Sequence, residues 1–180
     1  MIVDRGHDTE AGEPKYARFE LERRWLVDSA VRPSLHDQPF TLIEDRYIDG
    51  TRLRLRRMTR GERTVLKLTK KYETERPEAR PIVTAYQTEA ERAVLAALPA
   101  ALMRKRRFHF AIDGHDWSLD LFEGGLAGLE LVEAEAADEA ALAALVPPPW
   151  ATKEVTHDAR YQCGSLAEAQ AIPEDRWPVS

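Results

Sequence analysis

Two glutamates and an arginine occupy alternate positions near the start of the chain. The stretch Phe19–Leu26 reads Phe-Glu-Leu-Glu-Arg-Arg-Trp-Leu, and its period of two is typical of a strand that buries one face. Glu20, Glu22 and Arg24 therefore share the polar face of this strand. Because two carboxylates at this spacing repel each other, we expect a cation to lie between them.

Faces of a single charge sign recur on later stretches of the sequence. The basic ones carry Arg52, Arg54, Arg56, Lys67, Lys105 and Arg107, and the acidic ones carry Asp120, Glu133 and Glu135. Each stretch alone is also typical of a half-exposed sheet with solvated charges. Together they favour a bound polyanion on one side and bound divalent cations on the other, since arginine matches the geometry of phosphate oxygens and carboxylates bind divalent cations.

Composition places the chain among globular proteins. It has 180 residues, a net charge of -5 and 43% hydrophobic residues, which predicts one compact domain. Residues 46–80 hold twelve Lys or Arg, whereas residues 117–151 hold none and seven Asp or Glu. The acidic balance argues against a general nucleic-acid binder, so no nucleic-acid partner is expected.

The cysteine count and the apolar stretches indicate the compartment. Cys163 is the single cysteine of the sequence, so no disulfide can form within the chain, which fits a reducing cytoplasm. The N-terminus does not resemble a signal peptide, and no apolar stretch approaches the roughly 20 residues of a membrane span. We therefore expect a cytoplasmic location and no membrane partner.

The elements that position these charges are mostly short strands. Turn signals at Asp49-Gly50, Arg60-Gly61 and Asp113-Gly114 indicate hairpins. The predicted strands are Phe19–Leu26, Glu44–Ile48, Thr51–Met58, Arg63–Lys71, Ile82–Gln87, Met103–Ile112, His115–Phe122 and Leu126–Ala136. Thr88 and Glu91 make a capping box for one helix, and Asp138 can cap a second that ends at Pro147. A loop and a short helix are predicted over Lys153–Ala169.

The charged stretches occur in an order that resembles the CYTH, or triphosphate tunnel metalloenzyme, superfamily. Glu20–Arg24 resembles its ExExK signature, with arginine in the place of the lysine. The Arg-x-Arg strand and the lysine strand follow. Four further matches come after them, namely Lys105-Arg106-Arg107-Phe108, Trp117-Ser118-Leu119-Asp120-Leu121-Phe122, Glu133-Ala134-Glu135 and Lys153-Glu154-Val155-Thr156 with Asp158-Ala159-Arg160-Tyr161. The resemblance covers roughly residues 17–167.

The resemblance implies a fold and a domain plan. The fold class is α+β and mainly β, an eight-stranded antiparallel closed tunnel barrel with helices packed outside. The tunnel domain is expected over residues 16–170, between a disordered N-terminal tail at 1–15 and a C-terminal tail at 171–180.

The same resemblance implies roles for single residues. Magnesium or manganese would be bound by Glu20, Glu22, Asp120, Glu133 and Glu135. Triphosphate would be bound by Arg24, Arg52, Arg54, Arg56, Lys67, Lys105, Arg107 and Lys153. Glu20, Glu22 and Arg24 are the expected catalytic residues. Because arginine is a poor proton acceptor, Arg24 does not suit a mechanism in which the signature lysine activates water.

The expected activity is metal-dependent hydrolysis of a linear triphosphate. Inorganic tripolyphosphate is the first expectation for this small-molecule substrate, followed by thiamine or nucleoside triphosphate. A class IV type adenylate cyclase shares the same barrel and motifs and is the alternative. A non-catalytic module that binds polyphosphate or nucleotide is a further alternative, and a homodimer is common in the family.

Overall fold

Residues 16–174 form a strand-rich structure, as described by a computed structural model. Its nine strands are β1 (Arg18–Val27), β2 (Thr41–Ile48), β3 (Leu53–Arg60), β4 (Arg63–Lys71), β5 (Ala79–Tyr86), β6 (Ala100–Ile112), β7 (His115–Phe122), β8 (Glu130–Glu135) and β9 (Ala151–Glu154). The predicted N-terminal tail at 1–15 lies outside the described residues. So do residues 175–180 of the predicted C-terminal tail.

The first eight strands close into a ring. Neighbouring strands follow the order β5-β4-β3-β2-β6-β7-β8-β1-β9, and β5 also pairs with β1. All pairings are antiparallel. This confirms the predicted eight-stranded antiparallel closed barrel. The ninth strand pairs with the end of β1, at Trp25 and Val27, whereas β5 pairs with its start, at Arg18–Leu21. The strand β9 therefore extends the sheet beyond β5.

Local turn chemistry explains the hairpin between β6 and β7. Asp113 and Gly114 both have positive φ, 50° and 78°, which is the geometry of the tight turn that suits a two-residue hairpin. Glycine adopts this conformation without steric cost, and aspartate tolerates it better than most residues. The strands β6 and β7 therefore pair in full on either side of this turn.

Three short helices accompany the barrel, namely α1 (Glu89–Leu95), α2 (Glu139–Ala144) and α3 (Cys163–Ala169). The predicted capping box of α1 is formed, with Thr88 and Glu91 each bonded to the backbone of the other. Asp138 caps α2 through the backbone N–H of Ala141. No helix in residues 16–174 is both long enough and apolar enough to cross a membrane.

The outer face of the barrel carries one apolar core. Trp25, Trp117 and Val132 lie on the outside of β1, β7 and β8, where Leu142 of α2 and Trp150 cover them. The ring centroids of Trp25 and Trp117 lie 5.5 Å apart in a tilted arrangement. Packing of this kind fixes the outward side of these strands, so their alternate residues must point inward.

A second apolar core covers one end of the barrel. Each of β6, β7 and β8 carries an apolar residue two positions away from an inward-pointing charged residue. These apolar residues are Met103, Phe122 and Leu131. Leu166 and Ala167 of α3 pack on them and are fully buried. Thus α3 lies over one end of the lumen, and the charged residues lie beyond it toward the other end.

The start of β8 and the strand β9 differ from the sequence prediction. The strand predicted from Leu126 begins only at Glu130, because Gly124–Leu126 forms a 3-10 turn and Gly128 has a φ of 100°. Residues Ala151–Glu154 form β9, although Lys153 and Glu154 belong to the segment that was predicted as a loop and short helix. This four-residue strand lacks a local signal of its own, since it exists through its pairing with β1.

Candidate active site

The inner faces of neighbouring strands bring the predicted charges together. On β1, Glu20, Glu22 and Arg24 point the same way because they are alternate residues of one strand. Across the ladder to β8, Glu22 is the register partner of Glu135, and Arg24 is the partner of Glu133. Directly opposed residues share a face, so the two acidic strands project their side chains into one lumen.

Glu20, Glu22 and Glu135 form a cluster that we call the carboxylate triad. One oxygen from each lies within 4.8 Å of the others. Burial raises the pKa of Glu135, and the negative charges of Glu20 and Glu22 raise it further. Burial also raises the pKa of Glu22, by more than the charge of Arg24 lowers it. Burial and the neighbouring carboxylates therefore disfavour the charged forms of Glu22 and Glu135.

One member of the triad has a cationic partner that the sequence motifs did not reveal. The ammonium group of Lys71 on β4 contacts the Glu20 carboxylate. Burial acts to raise the pKa of Glu20, but Lys71 and Arg54 outweigh it and leave the pKa below its ordinary value. Lys71 lies four residues after Lys67 on the same face, so the alternation of β4 could have identified it.

Arg24 is almost entirely buried, with 6% of its surface exposed. Its guanidinium contacts Glu22 and lies 3.8 Å from the Glu133 carboxylate. Its Nη1 also donates a hydrogen bond of 3.0 Å to the carbonyl oxygen of Tyr161, and its backbone N–H donates to Thr156 Oγ1 at 3.0 Å. Arg24 therefore links two lumen carboxylates to the segment that leads into α3.

Asp120 is the centre of a buried ion-pair network. Lys105 Nζ donates to its Oδ2 at 2.5 Å, while Arg107 donates to both oxygens at 2.7 and 2.6 Å. Arg107 also contacts Glu133. Although burial acts to raise the pKa of Asp120, Arg107 and Lys105 hold it far below its usual range. Both oxygens of Asp120 therefore bond to cationic side chains. The metal-binding roles predicted for Asp120 and Glu133 stay predictions.

A second buried pair involves a residue that was not predicted. Asp45 on β2 accepts hydrogen bonds of 2.7 Å from Nε and Nη2 of Arg56. Its pKa lies far below the ordinary value because Arg56 and Arg54 outweigh the effect of burial. Asp45 stands between Glu44 and Arg46 in the sequence, so charge occupies both faces of β2 and alternation could not separate them.

The remaining predicted phosphate ligands differ in position. Arg54 is buried and donates to Thr69 Oγ1 at 3.4 Å, whereas its buried Nε has no hydrogen-bond partner. Lys67 is half-buried, and burial together with Arg56 and Arg54 lowers its pKa. Arg52 is exposed and contacts Glu73. Lys153 is exposed on β9.

Two named relatives share sequence with this chain. An inorganic triphosphatase of Nitrosomonas europaea is 33% identical over 153 residues, which cover 82% of this chain and 96% of the relative. An inorganic triphosphatase of Acetivibrio thermocellus is 36% identical over 67 residues, 37% of this chain and 42% of the relative. No family model matches the chain.

Solved structures share the fold. The crystal structure of an inorganic triphosphatase has a TM-score of 0.55 at 28% identity, with coverage of 86% of this chain and 97% of the other. A protein of Pyrococcus horikoshii has a TM-score of 0.51 at 15% identity, with coverage of 86% and 92%. The second match shows likeness of fold alone.

Proposed function

Because the chain belongs to the inorganic triphosphatase family of the CYTH superfamily, we propose that it hydrolyses a linear triphosphate in the lumen of its barrel. Inorganic tripolyphosphate is the first substrate of this proposal, and thiamine or nucleoside triphosphate comes next. The observation that carries it is the separation of charge across the lumen. The carboxylate triad lies on β1 and β8, while Arg54, Arg56 and Lys67 line β3 and β4.

The carboxylate triad would hold a divalent cation. Three carboxylate oxygens within 4.8 Å of one another are a suitable donor set. Burial and the neighbouring carboxylates raise the pKa values of Glu22 and Glu135, so a bound cation would stabilise their charged forms. All-oxygen ligands favour magnesium or manganese. When bound, the ion would neutralise charge on the phosphoryl group that water attacks.

The basic side chains would bind and orient the phosphate chain. Arg54 has a buried Nε without a hydrogen-bond partner, and a phosphate oxygen would satisfy this donor. Lys67 would add a positive charge on the neighbouring strand. Fixed cations of this kind lower the barrier to in-line attack by water through positioning and charge neutralisation, without a covalent enzyme intermediate.

Arg24 does not serve as the general base in this proposal. Its pKa lies well above its already high ordinary value, because the charges of Glu22 and Glu133 outweigh the effect of burial. A guanidinium of this kind keeps its proton at any physiological pH. Its role is to hold Glu22 and Glu133 in place beside the substrate.

A substrate panel tests the proposal. The purified chain is assayed with tripolyphosphate, thiamine triphosphate and ATP, each with magnesium or manganese, and the products are identified. Phosphate release that depends on the metal is the expected result. Folded protein that releases no phosphate from any of the three would contradict hydrolysis.

The panel also separates the alternatives. Cyclic AMP and pyrophosphate from ATP would identify the adenylate cyclase, which no described residue favours over hydrolysis. Tight binding of triphosphate without turnover would identify a binding module. The expected homodimer, the cytoplasmic location and the absence of nucleic-acid and membrane partners stay predictions, although the free Cys163 suits a reducing compartment.

A further inference from the structure

The lumen cations fall into two groups according to their partners. Five contact a lumen carboxylate directly, namely Arg24, Arg56, Lys71, Lys105 and Arg107. Because a charge-assisted bond to a carboxylate already occupies donors of these side chains, a phosphate must compete with that carboxylate to bind them.

A second group has no hydrogen bond to a carboxylate within residues 16–174. It consists of the buried or half-buried Arg54, Lys67 and Arg80. Arg54 is bonded to the Thr69 hydroxyl and lies 4.0 Å from Asp45, and Lys67 lies 5.5 Å from the ring centre of Tyr86. These three stand on β3, β4 and β5, which are consecutive neighbours in the ring. We call them the open cation wall.

Arg80 is the member of the wall that lies nearest to the carboxylate triad in the strand register. It is the direct partner of Glu20 where β5 closes the ring onto β1. Directly opposed side chains share a face, so Arg80 points into the lumen. Glu20 itself is contacted by Lys71, and the other inward positions of β5 are Ile82, Thr84 and Tyr86, none of which is a cation.

The electrostatic surroundings of Arg80 favour an additional anion. Burial lowers the pKa of Arg80, and the charges of Arg24 and Arg52 lower it further, while Glu20 and Glu22 only partly oppose them. A half-buried guanidinium under these conditions gains more from a bound phosphate oxygen than one that is already paired.

We propose that Arg80 is a substrate-binding residue that holds a phosphoryl oxygen of the triphosphate beside the carboxylate triad. The members of the open cation wall are offset along the strands, since Lys67 lies opposite Tyr86, six residues from Arg80 on β5. Arg80 therefore stands at the end of the wall where the metal would lie, opposite Glu20. The inference rests on the proposed function, which it refines by naming a residue outside the signature motifs.

A charge-removing variant tests this role. Arg80→Gln is compared with Arg104→Gln, which removes the same charge from an exposed position on the outer face of β6. We expect Arg80→Gln to raise the KM for tripolyphosphate about 10-fold or more, as for loss of a charge-assisted hydrogen bond, and Arg104→Gln to leave it unchanged. Arg80→Lys keeps the charge without the fork and should fall between the wild type and Arg80→Gln.

Two further readouts distinguish substrate binding from a structural role. A residue that only compensates Glu20 and Glu22 would shift the metal concentration for half-maximal turnover and lower the Tm, with the KM unchanged. We expect instead an unchanged metal midpoint and a Tm that is not lowered, because the removed cation has no bonded anion. An unchanged KM in Arg80→Gln overturns the proposal.

Equilibrium binding keeps this test independent of turnover. The affinity for tripolyphosphate is measured by calorimetry in wild type and variants without divalent metal. Wild-type protein that binds but does not hydrolyse would overturn the proposed hydrolysis alone, and the Arg80→Gln affinity would still decide the role of Arg80. Protein that neither binds nor hydrolyses tripolyphosphate would overturn both. Normal hydrolysis with equal affinity in Arg80→Gln would overturn the role of Arg80 alone.

Discussion

Arg24 and Tyr161 are joined by a hydrogen bond of 3.0 Å from the guanidinium Nη1 to the backbone carbonyl oxygen. The bond connects β1, which carries two members of the carboxylate triad, to the segment that leads into α3. Lysine, which the superfamily signature has at this position, offers a single nitrogen. An arginine can contact Glu22 and the Tyr161 carbonyl at the same time through different nitrogens.

Substitution of Arg24 by lysine should therefore separate stability from activity. We expect Arg24→Lys to lower the free energy of unfolding by about 1–2 kcal/mol, as for the loss of one buried hydrogen bond. Turnover should remain, because the positive charge beside Glu22 and Glu133 is kept. Urea unfolding and an assay with tripolyphosphate measure the two effects.

The control for this prediction is Arg24→Gln. It leaves Glu22 and Glu133 without the cation between them, and loss of one partner of a buried ion pair costs about 3–5 kcal/mol. Equal stability of the lysine and glutamine variants would mean that the charge of Arg24 does not stabilise the lumen.

Local signals in the sequence predicted much of the sheet. The bounds of β4 and β7 agree with the prediction, because turn residues flank these strands and their alternation is regular. Closure of the ring has no such local signal. It depends on pairing between the start of β1 and β5, which are far apart in the sequence, and only the family resemblance predicted it.

The candidate site was predicted less completely than the fold. Motif order identified the residues of the carboxylate triad, since they stand within ExE patterns on two strands. Asp45 and Arg80 were missed for different reasons. Charge on both faces of β2 obscured Asp45, and Arg80 is the last residue of the charged, proline-containing stretch Tyr72–Arg80, whose composition is typical of a loop. Which cation each carboxylate contacts depends on the ring geometry, which no single strand encodes.

The Asp45–Arg56 pair predicts a specific dependence of stability on pH. The pKa of Asp45 is lowered in the folded state, so the pair contributes its full stability above the ordinary value of 3.8 and loses it as pH falls toward the folded pKa. We expect Asp45→Asn to be less stable than wild type by about 3 kcal/mol or more at pH 7. This difference should shrink below about pH 4.

Denaturant unfolding between about pH 3 and pH 7 measures this dependence. Asp116→Asn, at an exposed position of β7, serves as the matched control and should follow the wild-type curve closely. A stability difference for Asp45→Asn that stays constant across this range would show that ionisation of Asp45 does not contribute.

The cover that α3 places over the barrel end predicts a second stability effect. Leu166 is fully buried against Phe122 and Leu131, so Leu166→Ala should cost about 2–5 kcal/mol through lost burial and a cavity. Leu102→Ala, at a side chain that is 54% exposed, should cost less than about 1 kcal/mol. Urea unfolding of both variants checks the contrast, and equal losses would argue against a packed cover.

The carboxylate triad predicts that Glu22→Gln weakens the use of metal. Removing one of three charged oxygen donors should raise the metal concentration for half-maximal turnover by about 10-fold or more, since even loss of an outer partner of a metal ligand costs about 10- to 100-fold. Magnesium and manganese titrations of tripolyphosphate hydrolysis measure the shift.

Glu62→Gln, at an exposed hairpin position, is the matched control. Wild-type turnover and an unshifted titration in Glu22→Gln would mean that the metal binds elsewhere, because a neutral amide cannot replace the charge of this ligand.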